Sequence, residues 1–190
     1  AELVAGSYRR SYFNDLGIGI ASVRAGNVIG GGDWAVDRLI PDILRSFELD
    51  DPVIVRNPNA TRPWQHVLEP LSGYLILAQK LYNDHKKYSE GWNFGPNERD
   101  VRPVQWILDK MISIWPNATW NLDPKVNFHE AGFLKLDISK AKDRLNWQPV
   151  WELDQTLEKI ICWHKAWVNK NDMQYVCLAE IGNFTKDMNK

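Results

Sequence analysis

The sequence predicts an α/β protein, because short apolar runs typical of buried strands alternate with amphipathic helical segments. Strands are predicted over residues 18–24, 53–55 and 92–94. Helices are predicted over residues 36–47, 67–81 and 104–112, and a last long one over 153–168. The first strand is expected to be buried on both faces, as strands of parallel sheets are. In such proteins, ligands bind beyond the carboxyl ends of the strands.

Each predicted helix has an apolar face at three- and four-residue spacing. The expected buried faces are Val36, Leu39, Ile40, Ile43, Leu44 and Phe47; Val67, Leu71, Leu75, Ala78 and Leu81; Val104, Ile107, Leu108, Met111 and Ile112; and Leu153, Leu157, Ile160, Ile161, His164 and Val168. Pro41 falls early in its helix, where a missing N–H costs little.

The chain begins within a helical pattern. Apolar residues with that spacing are Leu3, Val4, Tyr8 and Tyr12. No residue stands before Ala1 that could cap this helix, so we expect the chain to begin inside an element.

Weaker patterns follow the third helix. Residues 120–122 predict a short strand, and alternation over 133–137 predicts a half-exposed strand. Ser139 is expected to cap a brief helix that ends at Asn146. Beyond about residue 169 the pattern fades into a polar tail.

Three consecutive glycines, Gly30 to Gly32, follow the first strand and precede the first of the amphipathic helices. Glycines let a backbone adopt positive φ and approach a bulky anion, and Asn27 could donate its amide to a phosphate oxygen. The alternative is a flexible connection between strand and helix. Residues 30–35 also fit the G-x-G-x-x-A dinucleotide fingerprint formally. We reject that match, because Asp33 would place a carboxylate beside a pyrophosphate and because a helix already precedes the strand.

A second polar loop is predicted over residues 56–67, and it contains Arg62 followed by Pro63. The guanidinium group suits bidentate phosphate contact, and the proline restricts Arg62 to extended conformations. The alternative interpretation is a surface arginine in a polar turn.

Composition excludes several function classes. The chain is 44% apolar and 25% charged with a net charge of −1, and it has no basic face for nucleic acid and no polybasic membrane anchor. No apolar run approaches the roughly 20 residues that span a bilayer, and no signal peptide pattern is present, so a cytoplasmic protein is expected. The four histidines and two cysteines have no ligand spacing, so neither a metal site nor a disulfide framework is expected.

The motifs resemble those of the CDP-glucose 4,6-dehydratases, which are extended short-chain dehydrogenase/reductases. The stretches that carry the resemblance are residues 24–34, 37–42, 56–58, 62–71, 93–96, 129–131, 134–137, 139–141 and 145–149. The Gly-Gly-Gly-Asp-Trp and Arg-Pro-Trp-Gln-His-Val stretches are the most specific to this family. The resemblance covers most of residues 1–170.

The resemblance implies the carboxyl-terminal part of an NAD(P)-binding Rossmann fold with a small α/β substrate-binding domain. Residues 1–34 would end the Rossmann domain, 35–62 would belong to the substrate domain, 63–100 would form a Rossmann helix and strand, 101–170 would be mostly substrate domain, and 171–190 would be a polar tail. The family's Tyr-x-x-x-Lys pair and glycine fingerprint are expected upstream of Ala1, so no catalytic residue is predicted within this chain.

The implied activity is that of a lyase in which NAD oxidises C4 of CDP-glucose, water is lost across C5 and C6, and the hydride returns to C6. The product is CDP-4-keto-6-deoxy-glucose, a precursor of dideoxy sugars in surface polysaccharides such as the O-antigen. Two other hypotheses stay open: an inactive fragment that only binds or dimerises, and another nucleotide-sugar epimerase or reductase of the same superfamily.

The resemblance also implies site residues. Those expected to border the cofactor are Arg24, Ala25, Asn27 and Val28. Those expected to bind the nucleotide sugar are Asn27, Trp34, Arg38, Leu39, Val53, Ile54, Val55, Arg62, His129 and Glu130. By residue type alone, His129 and Glu130 could be an acid/base pair, although a polar pair before a strand is more often a turn or a substrate-gripping loop. A homodimer is implied, with Tyr8 and Tyr12 on the expected seam.

Overall fold

A computed structural model describes residues 1–124 and 132–190. The strands are β1 Ser22–Ala25, β2 Asn27–Ile29, β3 Val53–Val55, β4 Thr61–His66, β5 Gly91–Phe94, β6 Val101–Pro103 and β7 Trp120–Leu122. The helices are α1 Glu2–Tyr8, α2 Leu39–Glu48, α3 Leu68–Asn83, α4 His85–Tyr88, α5 Val104–Ile114, α6 Ser139–Leu145, α7 Leu153–Val168 and α8 Met173–Met188. A π-helical turn, Arg9–Phe13, continues α1.

The strands form three small sheets. β1 pairs with β5 and β3 pairs with β7, both in parallel. In the third sheet β4 lies in the middle, parallel to β2 and antiparallel to β6. The β1 and β2 strands follow one another with only Gly26 between them, so one stretch of chain passes from one sheet to the next.

The larger of two hydrophobic cores lies between α2, α5 and α7, against β3 and β4, and we call it the large core. Its buried residues are Ile29, Ile40, Ile43, Leu44, Phe47, Val53, Val55, Trp64, Ile107, Leu108, Met111, Leu153, Leu157, Ile160 and Ile161. The three helices present the apolar stripes that the spacing predicts, apart from the first residue of α2's stripe and the last of α7's. Val36 precedes α2 and is 73% exposed, and Val168 at the end of α7 is 46% exposed.

The second cluster, which we call the small core, packs α3 and α6 onto β5. Its buried residues are Leu77, Tyr88, Trp92, Phe94, Ile138, Ala141, Leu145 and Trp147. The prediction that α3 buries its apolar stripe holds for Leu81, which packs against the small core, and is wrong for Leu71 and Leu75. Leu71 and Leu75 are exposed, whereas Glu69, Gly73 and Leu77 are buried. The cause is close packing at Gly73, where an added Cβ would lie 2.3 Å from two ring carbons of Phe94.

The prediction of a first strand buried on both faces is also wrong. The strand begins later than expected, and Val23 in it is 40% exposed. Among the described residues, β1 pairs with β5 alone, so its other edge and part of its face contact solvent.

Two predicted loops contain strands. Residues 27–29 pair with residues 64–66, residues 61–63 pair with β6, and the N–H of Val67 donates to the carbonyl of Ile29 at 2.9 Å. Asn27 and Pro63 are poor strand formers by propensity, so the pairing is imposed by the neighbouring chain.

Three predictions near the carboxyl end are corrected. Residues 133–137 form no strand: they make a single bridge, Thr61 to Phe133, in which the Leu134 N–H donates to the Thr61 carbonyl at 3.1 Å. Ser139 is the first residue of α6 and not its cap: Ile138 occupies the N-cap position without a side-chain hydrogen bond, and the Asp137 side chain before it accepts the Ser139 N–H at 2.8 Å. The expected polar tail is the helix α8, which Asp172 caps and which packs on α7.

Candidate functional site

Two adjoining cavities lie beside β2, β4 and the start of α2. The first has a volume of about 670 Å³ and the second about 200 Å³. Lining the first are Gly26, Asn27, Val28, Ile29, Gly30, Asp33, Val36, Asp37, Arg38, Leu39, Ile40, Pro41 and Trp64. Lining the second are Asn27, Asp37, Leu39, Asp42, Val53, Ile54, Val55, Arg56, Asn57, Ala60, Arg62, Trp64 and Val104. Four residues line both, so the cavities form one continuous region.

Strand pairing brings Asn27 and Arg62 to this region. Asn27 on β2 lies opposite Trp64 on β4, and Arg62 lies two residues before Trp64, on the same face of the strand. Both side chains line the smaller cavity. The approach of the two strands requires glycine at position 26, because a Cβ there would lie 2.3 Å from the carbonyl oxygen of Pro63.

Arg62 is held in an extended backbone, as Pro63 predicts. Its Nη1 donates to the carbonyl of Thr61 at 3.0 Å. The residue paired with it on the neighbouring strand β6 is Arg102. Two like charges on paired residues favour an anion nearby. Arg56 also lines the smaller cavity, so two guanidinium groups and one amide face it.

Two carboxylates also line these cavities. Asp37 lines both cavities and has a left-handed backbone with φ of 59°. Asp42 lines the smaller cavity and forms an ion pair with Arg45. Carboxylates accept hydrogen bonds from hydroxyl groups, so a ligand with anionic and hydroxyl groups fits the combined lining.

Most predicted substrate residues lie around these cavities. Arg38 and Leu39 line the first, and Leu39, β3 and Arg62 line the second. Of the predicted cofactor residues, Asn27 and Val28 line the first cavity.

The other predicted residues lie elsewhere. Arg24 and Ala25, at the end of β1, line neither cavity, and the Arg24 guanidinium donates to Asn93 at 3.0 Å and to Glu2 at 2.5 Å. Trp34 also lines neither, and it packs on α7 with its ring centroid 4.4 Å from that of Trp167. His129 and Glu130 fall outside the described residues.

Sequence reasoning missed Asp37, Asp42, Arg56 and Trp64 as lining residues. Trp64 could have been found, because it lies two positions from Arg62 on a strand. The positive φ of Asp37 could not be located from the sequence, because aspartate is enriched in that conformation but adopts it at only a few of its positions.

Within residues 1–124 and 132–190, no cluster of metal-binding side chains and no helix able to cross a membrane is found.

Comparison with known proteins identifies the fold. No protein-family model matches the chain. UDP-glucuronic acid 4-epimerase from Bacillus cereus, in complex with UDP-glucuronic acid and NAD, superposes with a TM-score of 0.71 at 22% identity, over 86% of this chain and 49% of that one. The dTDP-glucose 4,6-dehydratase from Bacillus anthracis, in complex with NAD, superposes with a TM-score of 0.68 at 17% identity over the same shares. The fold is that of an extended short-chain dehydrogenase/reductase.

Within this fold the sequence resembles one enzyme in particular. CDP-glucose 4,6-dehydratase from Salmonella typhimurium is 56% identical over 97% of the chain. The chain spans about half the length of this relative, 53%. The resemblance that the motifs predict is therefore confirmed across nearly all of the chain.

Proposed function

We propose that the chain is the nucleotide-sugar-binding portion of a CDP-glucose 4,6-dehydratase, a lyase that uses NAD catalytically. The substrate is CDP-glucose and the product CDP-4-keto-6-deoxy-glucose. The observation that carries the proposal is the shared cavity of Asn27 and Arg62, which join from separate strands in a chain 56% identical to that enzyme.

The diphosphate is the part of the substrate that this pair would bind. Asn27 would donate its amide to a phosphate oxygen, and Arg62 would donate two parallel N–H groups to the same diphosphate. Hydrogen bonds to charged groups contribute roughly 1.5–3 kcal/mol each. Arg56 lines the same cavity, so its guanidinium group would be a third donor beside Asn27 and Arg62.

The apolar lining would hold the nucleoside. Leu39 and the strand β3 lie on the smaller cavity beside Arg62, so the base and ribose would pack there. Arg38 on the larger cavity would contact the sugar side of the substrate. Substrate contacts by His129 and Glu130 remain predictions.

The residues bordering the larger cavity fit a nicotinamide better than a pyrophosphate. Asn27 is neutral and Val28 apolar, whereas Asp33 on the same wall would repel phosphate. The glycines at 30–32 do not open a helix, because α2 begins only at Leu39. NAD, when bound, would accept the C4 hydride and return it to C6 after water is lost. The chain's own part would be to orient the sugar beside it.

Assembly and location belong to the same proposal. Tyr8 and Tyr12 are 53% and 61% exposed on one helical face, with ring centroids 5.4 Å apart. Exposed aromatic pairs of this kind suit a homodimer seam. We place the enzyme in the cytoplasm, in the synthesis of lipopolysaccharide O-antigen sugars.

Calorimetric titration of CDP-glucose into wild-type chain and an Arg62→Ala variant tests the diphosphate clamp. We expect the variant's dissociation constant to rise tenfold or more, which is about 1.4 kcal/mol. Arg99→Ala is the matched control, because Arg99 pairs with Glu152 away from both cavities, and its affinity should equal wild type. CMP should bind both wild type and Arg62→Ala weakly and almost equally, because it lacks the second phosphate.

Equal affinity of wild type and Arg62→Ala for CDP-glucose would contradict the proposal. Mass analysis of products separates the alternatives for the active protein: loss of water indicates a dehydratase, and unchanged mass an epimerase. Turnover by the 190-residue chain itself would exclude the inactive-fragment hypothesis.

A further inference from the structure

One wall of the larger cavity is a short stretch between β2 and α2. Gly30, Asp33, Val36, Asp37 and Arg38 from this stretch line the cavity. We call residues 30–38 the cavity wall. No regular element runs through it, so something outside the stretch must fix its shape.

Trp34 lies within the cavity wall but contacts α7 instead of the cavity. Its ring centroid is 4.4 Å from that of Trp167, 6.0 Å from that of His164 and 6.2 Å from that of Trp163. The two closest rings, Trp34 and Trp167, are tilted by 48°. Separations between 4.5 and 7 Å, or slightly less, are typical of stabilising aromatic pairs.

The glycines next to Trp34 follow the same surface of α7. A Cβ at Gly31 would lie 2.2 Å from the indole of Trp163, so only glycine fits there. Gly32 has a φ of 79° and also faces the Trp163 ring. Trp163 is fixed in turn, because its Nε1–H donates to Cys177 Sγ on α8 at 3.3 Å. These two glycines therefore allow close packing on α7.

Arg45 of α2 binds the backbone at Trp34 and at the residue after it. Nη1 of Arg45 donates to the Trp34 carbonyl at 3.4 Å, and Nη2 donates to the Ala35 carbonyl at 3.3 Å. Asp33 accepts the Ala35 N–H at 3.0 Å. Between Trp34 and α2 the cavity wall has no other side-chain hydrogen bond within the described part of the chain. The aromatic contact of Trp34 and the hydrogen bonds of Arg45 therefore fix this part of the wall together.

We infer that Trp34 and Trp167 are positioning residues for ligand binding in the larger cavity. The aromatic surface of α7 holds Trp34, and Trp34 sets the place of Asp33, Asp37 and Arg38 on the cavity. This inference rests on the proposed function for the identity of the ligand, a nucleoside diphosphate sugar. It explains why a tryptophan that contacts neither cavity stands within a motif that predicts substrate binding.

The test is a double-mutant cycle on CDP-glucose affinity with Trp34→Ala, Trp167→Ala and the double variant. Each single change should raise the dissociation constant about three- to tenfold. The dissociation constant of the double variant should not exceed that of the single variant with the larger increase. Residues that act through one contact are non-additive in this way. Trp34→Phe should restore affinity to within about twofold of wild type, because it keeps the aromatic contact. Tyr82→Ala is the matched control, since Tyr82 is 92% exposed on α3.

Amide hydrogen exchange of the ligand-free chain keeps this test separate from the proposed function. Two hydrogen-bonded amides report on the wall, that of Ala35, which donates to Asp33, and that of Asp42, which donates to the Arg38 carbonyl at 2.9 Å. Both should exchange at least tenfold faster in Trp34→Ala and in Trp167→Ala than in wild type, and at the wild-type rate in Trp34→Phe and Tyr82→Ala. If wild type does not bind CDP-glucose but these exchange rates change as stated, the proposed function fails and the positioning role stands. Additive affinity losses, or exchange rates equal to those of Tyr82→Ala, would overturn the inference.

Discussion

The large and small cores differ in how their helices are positioned. In the large core, α2, α5 and α7 pack through the apolar stripes that their spacing predicts. In the small core, α3 turns Leu71 and Leu75 outward and packs through Gly73, Leu77 and a buried carboxylate, Glu69. Helical periodicity therefore identifies a buried face only where apolar contact is what positions the helix.

Two specific contacts account for the orientation of α3. Phe94 lies directly on the backbone at Gly73, which only a residue without Cβ permits. Glu69 accepts the N–H of Val150 at 3.0 Å and the N–H of Trp151 at 2.7 Å, which ties α3 to the segment before α7. Rotating α3 to bury Leu71 and Leu75 would break both contacts.

Two leucine truncations should give the largest contrast between the cores. Leu157→Ala, at a fully buried position of α7, should lower the free energy of unfolding by about 2–5 kcal/mol. Leu75→Ala, at a position of α3 that is 73% exposed, should change it by less than about 0.5 kcal/mol. Urea denaturation of both variants measures the difference. Similar losses in the two would mean that the α3 face is assigned wrongly.

Much of the fold is predictable because it follows apolar spacing. The strands at 53–55 and 91–94 and the helices α2, α5 and α7 are confirmed. The helix α8 was missed although Cys177, Ile181, Phe184 and Met188 have three- and four-residue spacing, and of these residues only Phe184 is buried. Its position depends on contacts distant in sequence, such as the ring of Trp151 at 4.9 Å from that of Phe184.

The candidate site was predictable where a motif and a strand coincide. Arg62 followed by proline in extended backbone is a local property, and in the structure it lines the same cavity as Asn27. Ligand binding by the two residues stays a prediction. Trp34 shows where local reasoning ends. Its motif marks a ligand site, yet its contacts with α7 depend on residues 129 or more positions away in the chain.

Replacing one glycine in α3 and one in α8 by alanine tests whether close packing at Gly73 positions α3. Gly73→Ala should destabilise the chain by about 2–3 kcal/mol, because the new Cβ would overlap the buried Phe94 ring. Gly182→Ala in α8 is the matched control, since nothing lies within 4 Å of its Cβ position. That variant should gain about 0.5–1 kcal/mol from helix propensity. Thermal unfolding of both variants measures these changes in stability. A Gly73→Ala variant more stable than wild type would contradict the close packing of α3 on Phe94.

The smallest effect expected is on pH dependence, and it comes from Glu69. Burial, together with the nearby Asp100 carboxylate, raises the pKa of Glu69 to about 7, although two backbone N–H bonds act in the opposite direction. Between the ordinary pKa of 4.5 and about 7, the folded chain binds this proton and the unfolded chain does not. Stability therefore falls as pH rises through that window, by about 2 kcal/mol between pH 5 and 7. Denaturation curves of wild type should show this decline, and those of Glu69→Gln should lack it. The control Glu98→Gln changes an exposed carboxylate and should keep the wild-type slope, so a parallel decline in all three would assign the effect to other groups.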